Sequence, residues 1–138
     1  MDVVEKILIP AYRLSLSSMV RQSEIDMYKR ILKRYTENHN KEGIERISRK
    51  ILLSEKFIDE CDAEIEKAEK VLSILDGEMY NVMFMHYVEG RSWRSIAVAF
   101  HYCERSIYDI SRKAKTKLNN YFRGYTEDDF NTDIGITE

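Results

Sequence analysis

The most constraining feature of the sequence is a long stripe of apolar and small side chains between residues 44 and 75. Its members recur at alternating steps of three and four residues: Ile44, Ile47, Ile51, Ser54, Ile58, Cys61, Ile65, Ala68, Leu72 and Leu75. This heptad spacing predicts one α-helix with a single apolar seam. At 1.5 Å per residue such a helix would be about 48 Å long, so it needs a partner along its length.

The preceding segment offers one partner for this seam. After Pro10 the chain has no glycine or proline until residue 43, and its apolar side chains include Ile25 and Leu32 on one stripe. The polar stretch 36–43 predicts a linker, so the two helices can pack as an antiparallel hairpin. A second copy of the chain is the alternative partner, and both remain open. In a homodimer, the oligomerisation residues would be Ile44, Ile47, Ile51, Ile58, Ile65 and Leu72.

Composition excludes several classes of protein. One proline, five glycines and 33% charged residues favour an all-α chain. No apolar run is long enough to cross a bilayer, so we expect no membrane association and a location in the cytoplasm of a bacterial host cell. The distant Cys61 and Cys103 predict neither a disulfide nor a metal site. Without a phosphate-binding glycine loop or a nucleophile–base pair, we expect no enzyme, no catalytic residues and no cofactors.

The charge is unevenly distributed along the chain. Residues 1–75 have no net charge, residues 76–125 have a net charge of +3, and residues 126–138 have a net charge of −5. We therefore predict three regions. They are a helical hairpin for oligomerisation or partner binding (1–75), a DNA-binding domain (76–125) and an acidic disordered tail (126–138).

The basic region contains three short helical patterns. Asp76-Gly77 and Glu89-Gly90 predict helix boundaries, because glycine accepts left-handed backbone angles. Ser92 is a suitable N-cap for a helix over 93–100. A turn at 101–103 then precedes a helix over 104–122, whose cations are concentrated in its second half. Two helices joined by a three-residue turn, the second rich in cations, are typical of helix-turn-helix DNA binding.

These residues also resemble a known family. The segments "YVEGRSWRSIAVAF" and "CERSIYDISRKAKTKL" are similar to region 4 of bacterial sigma factors over residues 76–122. The complete layout resembles phage and prophage late-transcription regulators of the ArpU/RinA kind. The resemblance implies a sigma region 4-like helix-turn-helix domain whose second helix enters the major groove.

The resemblance also implies which side chains would contact DNA. Base edges would be read by Glu104, Arg105, Tyr108, Asp109 and Arg112. Phosphates would be bound by Arg91, Arg94, Ser106, Lys113 and Lys115. Arginine can pair with guanine through two hydrogen bonds, and a carboxylate can accept from the cytosine amino group. Glu104 stands where major sigma factors favour a cation, so we expect a target other than the usual −35 element.

The sequence therefore predicts a sequence-specific transcriptional regulator, specifically a phage or prophage late-gene activator. Its expected partners are double-stranded DNA, a second copy of the chain and, from the resemblance alone, bacterial RNA polymerase. One alternative is the DNA-recognition small subunit of a phage packaging terminase. The other is a helical interaction module that does not bind DNA.

Overall fold

The computed structural model describes residues 2–131, and every regular element in this range is a helix. The elements are a π-helical turn at Val4–Leu8, α1 at Ile9–Glu37, α2 at Lys41–Leu72, α3 at Gly77–Tyr87, α4 at Trp93–Phe100, α5 at Glu104–Tyr121 and α6 at Glu127–Asn131. The prediction of an all-α chain is confirmed.

The helices group into two compact units whose division differs from the predicted domains. One unit is Leu16–Ala63, and the other combines Met1–Ser15 with Glu64–Glu138. The predicted boundary between residues 75 and 76 therefore does not coincide with the division in the structure. The reason is that the chain's first residues and the end of α2 share a hydrophobic core with the later helices.

In the 16–63 unit, α1 and α2 pack through one apolar cluster. Ile25 of α1 is buried with Ile47 and Ile51 of α2. The turn between the helices covers only residues 38–40, with His39 at a positive φ of 53°, so the predicted linker over 36–43 was too long. Gly43 belongs to α2 and is buried because the ring of Tyr35 lies against it.

In the other unit, the beginning of the chain packs beside α5. Val3 and Leu8 are fully buried, in the same cluster as Leu72 from α2 and Leu118 from α5. The Val3 amide donates a hydrogen bond of 3.1 Å to Oδ1 of Asn119. The first turns of the chain are therefore part of the core that supports α5.

The segment after α5 is also partly ordered. Phe130 in α6 is only 5% exposed and packs against the rings of Phe122 and Tyr125. The prediction of a disordered tail from residue 126 was therefore wrong for residues 126–131, because aromatic packing outweighs the acidic composition there. Residues 132–138 of the predicted tail lie outside the described residues.

Candidate nucleic-acid interface

Three helices form the platform that supports the candidate interface. Val82 of α3, Ile96 and Ala97 of α4, and Ile107 of α5 bury a common apolar cluster. Partly buried side chains extend it: Met85, Trp93, Phe100 and Ile110. Burial of these side chains fixes which side of α5 faces inward, and thus which side faces solvent.

The start of α4 is set by a side-chain cap. Ser92 is the N-cap, and its Oγ accepts a hydrogen bond of 3.1 Å from the backbone amide of Ser95. Such a cap satisfies one of the amides that have no partner within the helix. The predictions of Ser92 as N-cap and of a helix over 93–100 are confirmed.

The connection from α4 to α5 is short and fixed at two points. His101 ends α4 in the left-handed region, with φ of 59° and ψ of 36°. The hydroxyl of Tyr102 donates a 2.6 Å hydrogen bond to the Glu78 carboxylate. This hydrogen bond raises the pKa of the exposed Tyr102 hydroxyl, and the nearby charge of Glu78 adds to the effect. The turn is thereby connected to α3.

Cys103 occupies the position before α5. Its Sγ lies 3.3 Å from Oγ of Ser106. Hydrogen bonding from the Ser106 side chain and backbone lowers the pKa of the exposed Cys103 thiol. Ser106 is a predicted phosphate ligand. It is half-buried, and its hydroxyl is hydrogen-bonded to the Cys103 sulfur.

The predicted base-reading residues lie away from the buried side of α5. The inward side carries Ile107, Ser111, Ala114 and Leu118, all buried. Arg105, Tyr108 and Arg112 are exposed, and at 3.6 residues per turn they share the opposite side of the helix. Tyr108 is 48% exposed although its ring contacts Trp93 edge-on. About two turns of helix therefore present two guanidinium groups and a phenol to solvent.

The two predicted acidic readers both form ion pairs with arginines. The Glu104 carboxylate lies 3.7 Å from Nε of Arg94 on α4. The Asp109 carboxylate lies 2.8 Å from Nη2 of Arg112, one turn further along α5. These pairs are exposed and contribute little to stability, but they hold opposite charges side by side along the outward surface.

The predicted phosphate ligands occupy three different places. Arg91 is half-buried and donates to Oγ of Ser95, whereas Arg94 has a side chain that is 85% exposed. The ammonium of Lys115 lies 5.7 Å from the centre of the Trp93 ring. Lys113 lies on the other flank of α5, in a depression that it shares with Asp76 and Glu78. Lys113 is therefore close to carboxylates and separated from Arg94 and Lys115.

Sequence reasoning missed the aromatic stack behind this surface. His86 lies between Tyr12 and Trp93, with ring centroids 4.3 Å and 3.6 Å away. Burial, opposed by a hydrogen bond to the Arg91 carbonyl and assisted by the charge of Lys115, lowers the pKa of His86 to about 4. Val4, Leu8 and Ala11 are spaced by four and three residues, and this spacing was the sequence signal that could have predicted a buried helical face in the segment that carries Tyr12.

Two further groups attach this N-terminal segment to α3. The Ser15 hydroxyl donates a 2.9 Å hydrogen bond to the Val88 carbonyl. Burial raises the pKa of Tyr87 to about 12, and the negative charge of Asp2 adds to that rise. The phenol of Tyr87 consequently stays neutral at any physiological pH.

The six predicted oligomerisation residues are distributed over both units. Ile47 and Ile51 are buried against α1, and Leu72 is fully buried in the other unit's core. Ile44, Ile58 and Ile65 are half-buried. Packing of the α2 seam against α1 of the same chain accounts for the burial of Ile47 and Ile51.

Between residues 2 and 131, no group of three or more histidine, cysteine, aspartate or glutamate side chains is arranged to hold a metal ion. In that part of the chain, no helix combines the length and apolar character needed to cross a bilayer. No protein-family model, curated protein or solved structure matches the chain.

Proposed function

We propose that the chain is a sequence-specific DNA-binding transcriptional regulator that inserts α5 into the major groove. In this proposal α4, the turn at 101–103 and α5 form a helix-turn-helix like that of sigma factor region 4, and α1 with α2 forms an accompanying helical hairpin. The observation that carries the proposal is the exposed side of α5, where Arg105, Tyr108 and Arg112 project from a helix whose other side is anchored. Recognition helices present their base-reading residues in this way.

The chemistry of the exposed side chains on α5 also supports the proposal of DNA binding. Arg105 and Arg112 can each donate two parallel hydrogen bonds to guanine, and Asp109 can accept from a cytosine amino group. Arg94 and Lys115 are positioned beside this row, where they would reach phosphates. Glu104 and Asp109 form exposed ion pairs with Arg94 and Arg112 beside this row.

The regulator is proposed to be a phage or prophage late-gene activator that acts as a homodimer on promoter DNA. A single module that makes few phosphate and base contacts binds weakly at cellular salt, whereas two modules on adjacent half-sites combine their contacts. Contact with RNA polymerase is proposed from the sigma-factor resemblance alone.

The decisive experiment is selection of bound fragments from the source genome with the full chain, followed by titration of one enriched fragment. We expect one enriched sequence class and an affinity that falls steeply as salt rises. Arg105→Ala should weaken binding, whereas the matched control Arg30→Ala, which removes an exposed arginine from α1, should not. Enrichment of no fragment, or binding that is insensitive to salt, would instead favour the interaction-module alternative.

A further inference from the structure

The 16–63 unit has two unlike faces on either side of its apolar cluster. On one face, the ammonium of Lys50 lies 5.8 Å from the ring centre of Tyr28, and the guanidinium of Arg21 lies 4.9 Å from that of Phe57. Both contacts join residues equidistant from His39 in the turn, so they define the register between α1 and α2. Residue 55 of α2 therefore lies level with residue 23 of α1.

The opposite side of the unit is polar. A depression there is lined by four polar side chains, Gln22, Lys29, Glu55 and Asp59, together with Ile25 and Ile58. The face that carries the two cation–π contacts also carries Glu24, whose carboxylate lies 3.5 Å from Arg21, but its other outward side chains are mainly apolar, and we call it the apolar face. At 3.6 residues per turn its members are Leu16, Val20, Met27, Ile31, Leu53 and Phe57.

Much of this apolar face is exposed to solvent. Val20 is 60% exposed and Leu53 is 69% exposed, while Met27 and Leu16 are 43% and 38% exposed. A single exposed leucine needs no explanation, but a contiguous apolar patch indicates an interaction site. Ile47 and Ile51 of the seam on the inner side of α2 already pack against α1, whereas the outer face is left for a partner.

The arrangement of residues along the face is symmetric about its centre. On α2 the order Lys50, Leu53, Phe57, Glu60 has steps of three, four and three, with opposite charges at equal distances from residue 55. On α1 the order Leu16, Val20, Met27, Ile31 has steps of four, seven and four, centred between residues 23 and 24. Because residue 55 lies level with residue 23, the two centres coincide.

We propose that the apolar face binds a second copy of the chain in an isologous, two-fold dimer. The two-fold axis lies in the interface, perpendicular to the helices, so that each helix packs antiparallel on the same helix of its partner. Leu53 then meets Phe57 of the partner subunit, and Lys50 meets Glu60 of the partner subunit. Val20 meets Met27 of the partner subunit in the same register. The Lys50–Glu60 charge pairs at the edge of the interface favour the antiparallel arrangement of the two copies over the parallel one.

This inference does not rest on DNA binding, and its test uses no DNA. Sedimentation velocity of the full chain over a range of micromolar concentrations should give a dimer. Leu53→Glu should raise the dissociation constant by about tenfold or more, because it places a carboxylate in the centre of the apolar contact. The matched control is Leu52→Glu, since Leu52 is 65% exposed and lies on the other side of α2; this variant should remain dimeric.

Charge reversal tests the register of the dimer. Lys50→Glu and Glu60→Lys alone should each weaken association by about threefold to tenfold, and the double variant should restore it. Circular dichroism should show the same helix content in all variants. A monomeric wild type, a larger ring, equal effects of the Leu53 and Leu52 substitutions, or no rescue in the double variant would each overturn the proposal.

Discussion

The imidazole of His86 lies face to face with the indole of Trp93, with ring centroids 3.6 Å apart and planes inclined by 15°. The second side of the imidazole is covered by Tyr12, and Nδ1 lies 2.7 Å from the Arg91 carbonyl oxygen. Because a carbonyl can only accept, Nδ1 carries the proton of the neutral ring. This stack joins the beginning of α1 to the platform of α5.

The stack predicts that the protein loses stability in mild acid. The pKa of His86 is about 4 in the folded chain, against an ordinary value of 6.5. As pH falls below 6.5, the His86 imidazole becomes protonated in the unfolded chain before it does in the folded chain. The free energy of unfolding that depends on neutral His86 is therefore complete above pH 6.5 and decreases until about pH 4. Urea denaturation across this range should show a decreasing free energy of unfolding.

His86→Phe separates this effect from the titration of carboxylates. The variant keeps an aromatic ring between Tyr12 and Trp93 but loses the hydrogen bond to Arg91, so its stability at pH 7 should be lower. Its dependence on pH between 6.5 and 4 should be flatter than that of the wild type. An unchanged slope in His86→Phe, or an equal change in the control His39→Gln, would contradict the assignment.

Gly43→Ala should destabilise the protein although alanine is the better helix former. Alanine favours a helix by about 1 kcal/mol over glycine, but a Cβ at residue 43 would lie 2.7 Å from Cδ2 of Tyr35. The Tyr35 ring must then move and give up its hydroxyl contact of 3.3 Å with Arg46. In a Tyr35→Ala background, the same glycine substitution should become stabilising by about 1 kcal/mol, as measured by urea denaturation.

His101 should tolerate glycine better than a branched residue. Its φ of 59° lies in the left-handed region, which glycine adopts without steric cost. We expect His101→Gly to raise the melting temperature slightly and His101→Val to lower stability by about 1–2 kcal/mol. His101→Asn is the control, because asparagine also accepts this conformation. A more stable valine variant would show that the turn has a different backbone conformation in solution.

Arg105 and Lys115 should differ in the kind of DNA binding that they support. If Arg105 reads a base, Arg105→Ala should cost about 1–3 kcal/mol on the selected site and relax preference at one position. Lys115→Ala should weaken binding to all sequences alike and reduce the salt dependence. Fluorescence anisotropy with the selected fragment and single-base variants measures both effects, and the reverse pattern would reject this register of α5.

Local sequence signals predicted most of the helices. Asp76-Gly77 marked the start of α3 and Ser92 the start of α4, whereas α2 ends at Leu72, three residues before the predicted end of the long helix. These signals are short-range, because caps and left-handed turns depend on residues within one helical turn. The exposure of Arg105 and Arg112 also followed from the 3.6-residue period of α5.

Features that depend on contacts between distant segments were not predicted. Gly43 lies in α2 with the ring of Tyr35 against it, whereas glycine alone indicated a linker. The burial of Phe130 depends on aromatic partners, while the surrounding sequence is dominated by acids. Within the candidate site, the position of Lys113 beside Asp76 follows from the packing of α3 on α5, which has no signature in either segment alone.

The hydrogen bond between the Val3 amide and Asn119 spans 116 positions of the chain. During translation Val3 emerges 116 residues before Asn119, so this part of the core stays open until α5 has been synthesised. A premature stop before α5 would leave Val3, Leu8 and Leu72 without their apolar cover. Such fragments should be removed by cellular proteases and should not accumulate.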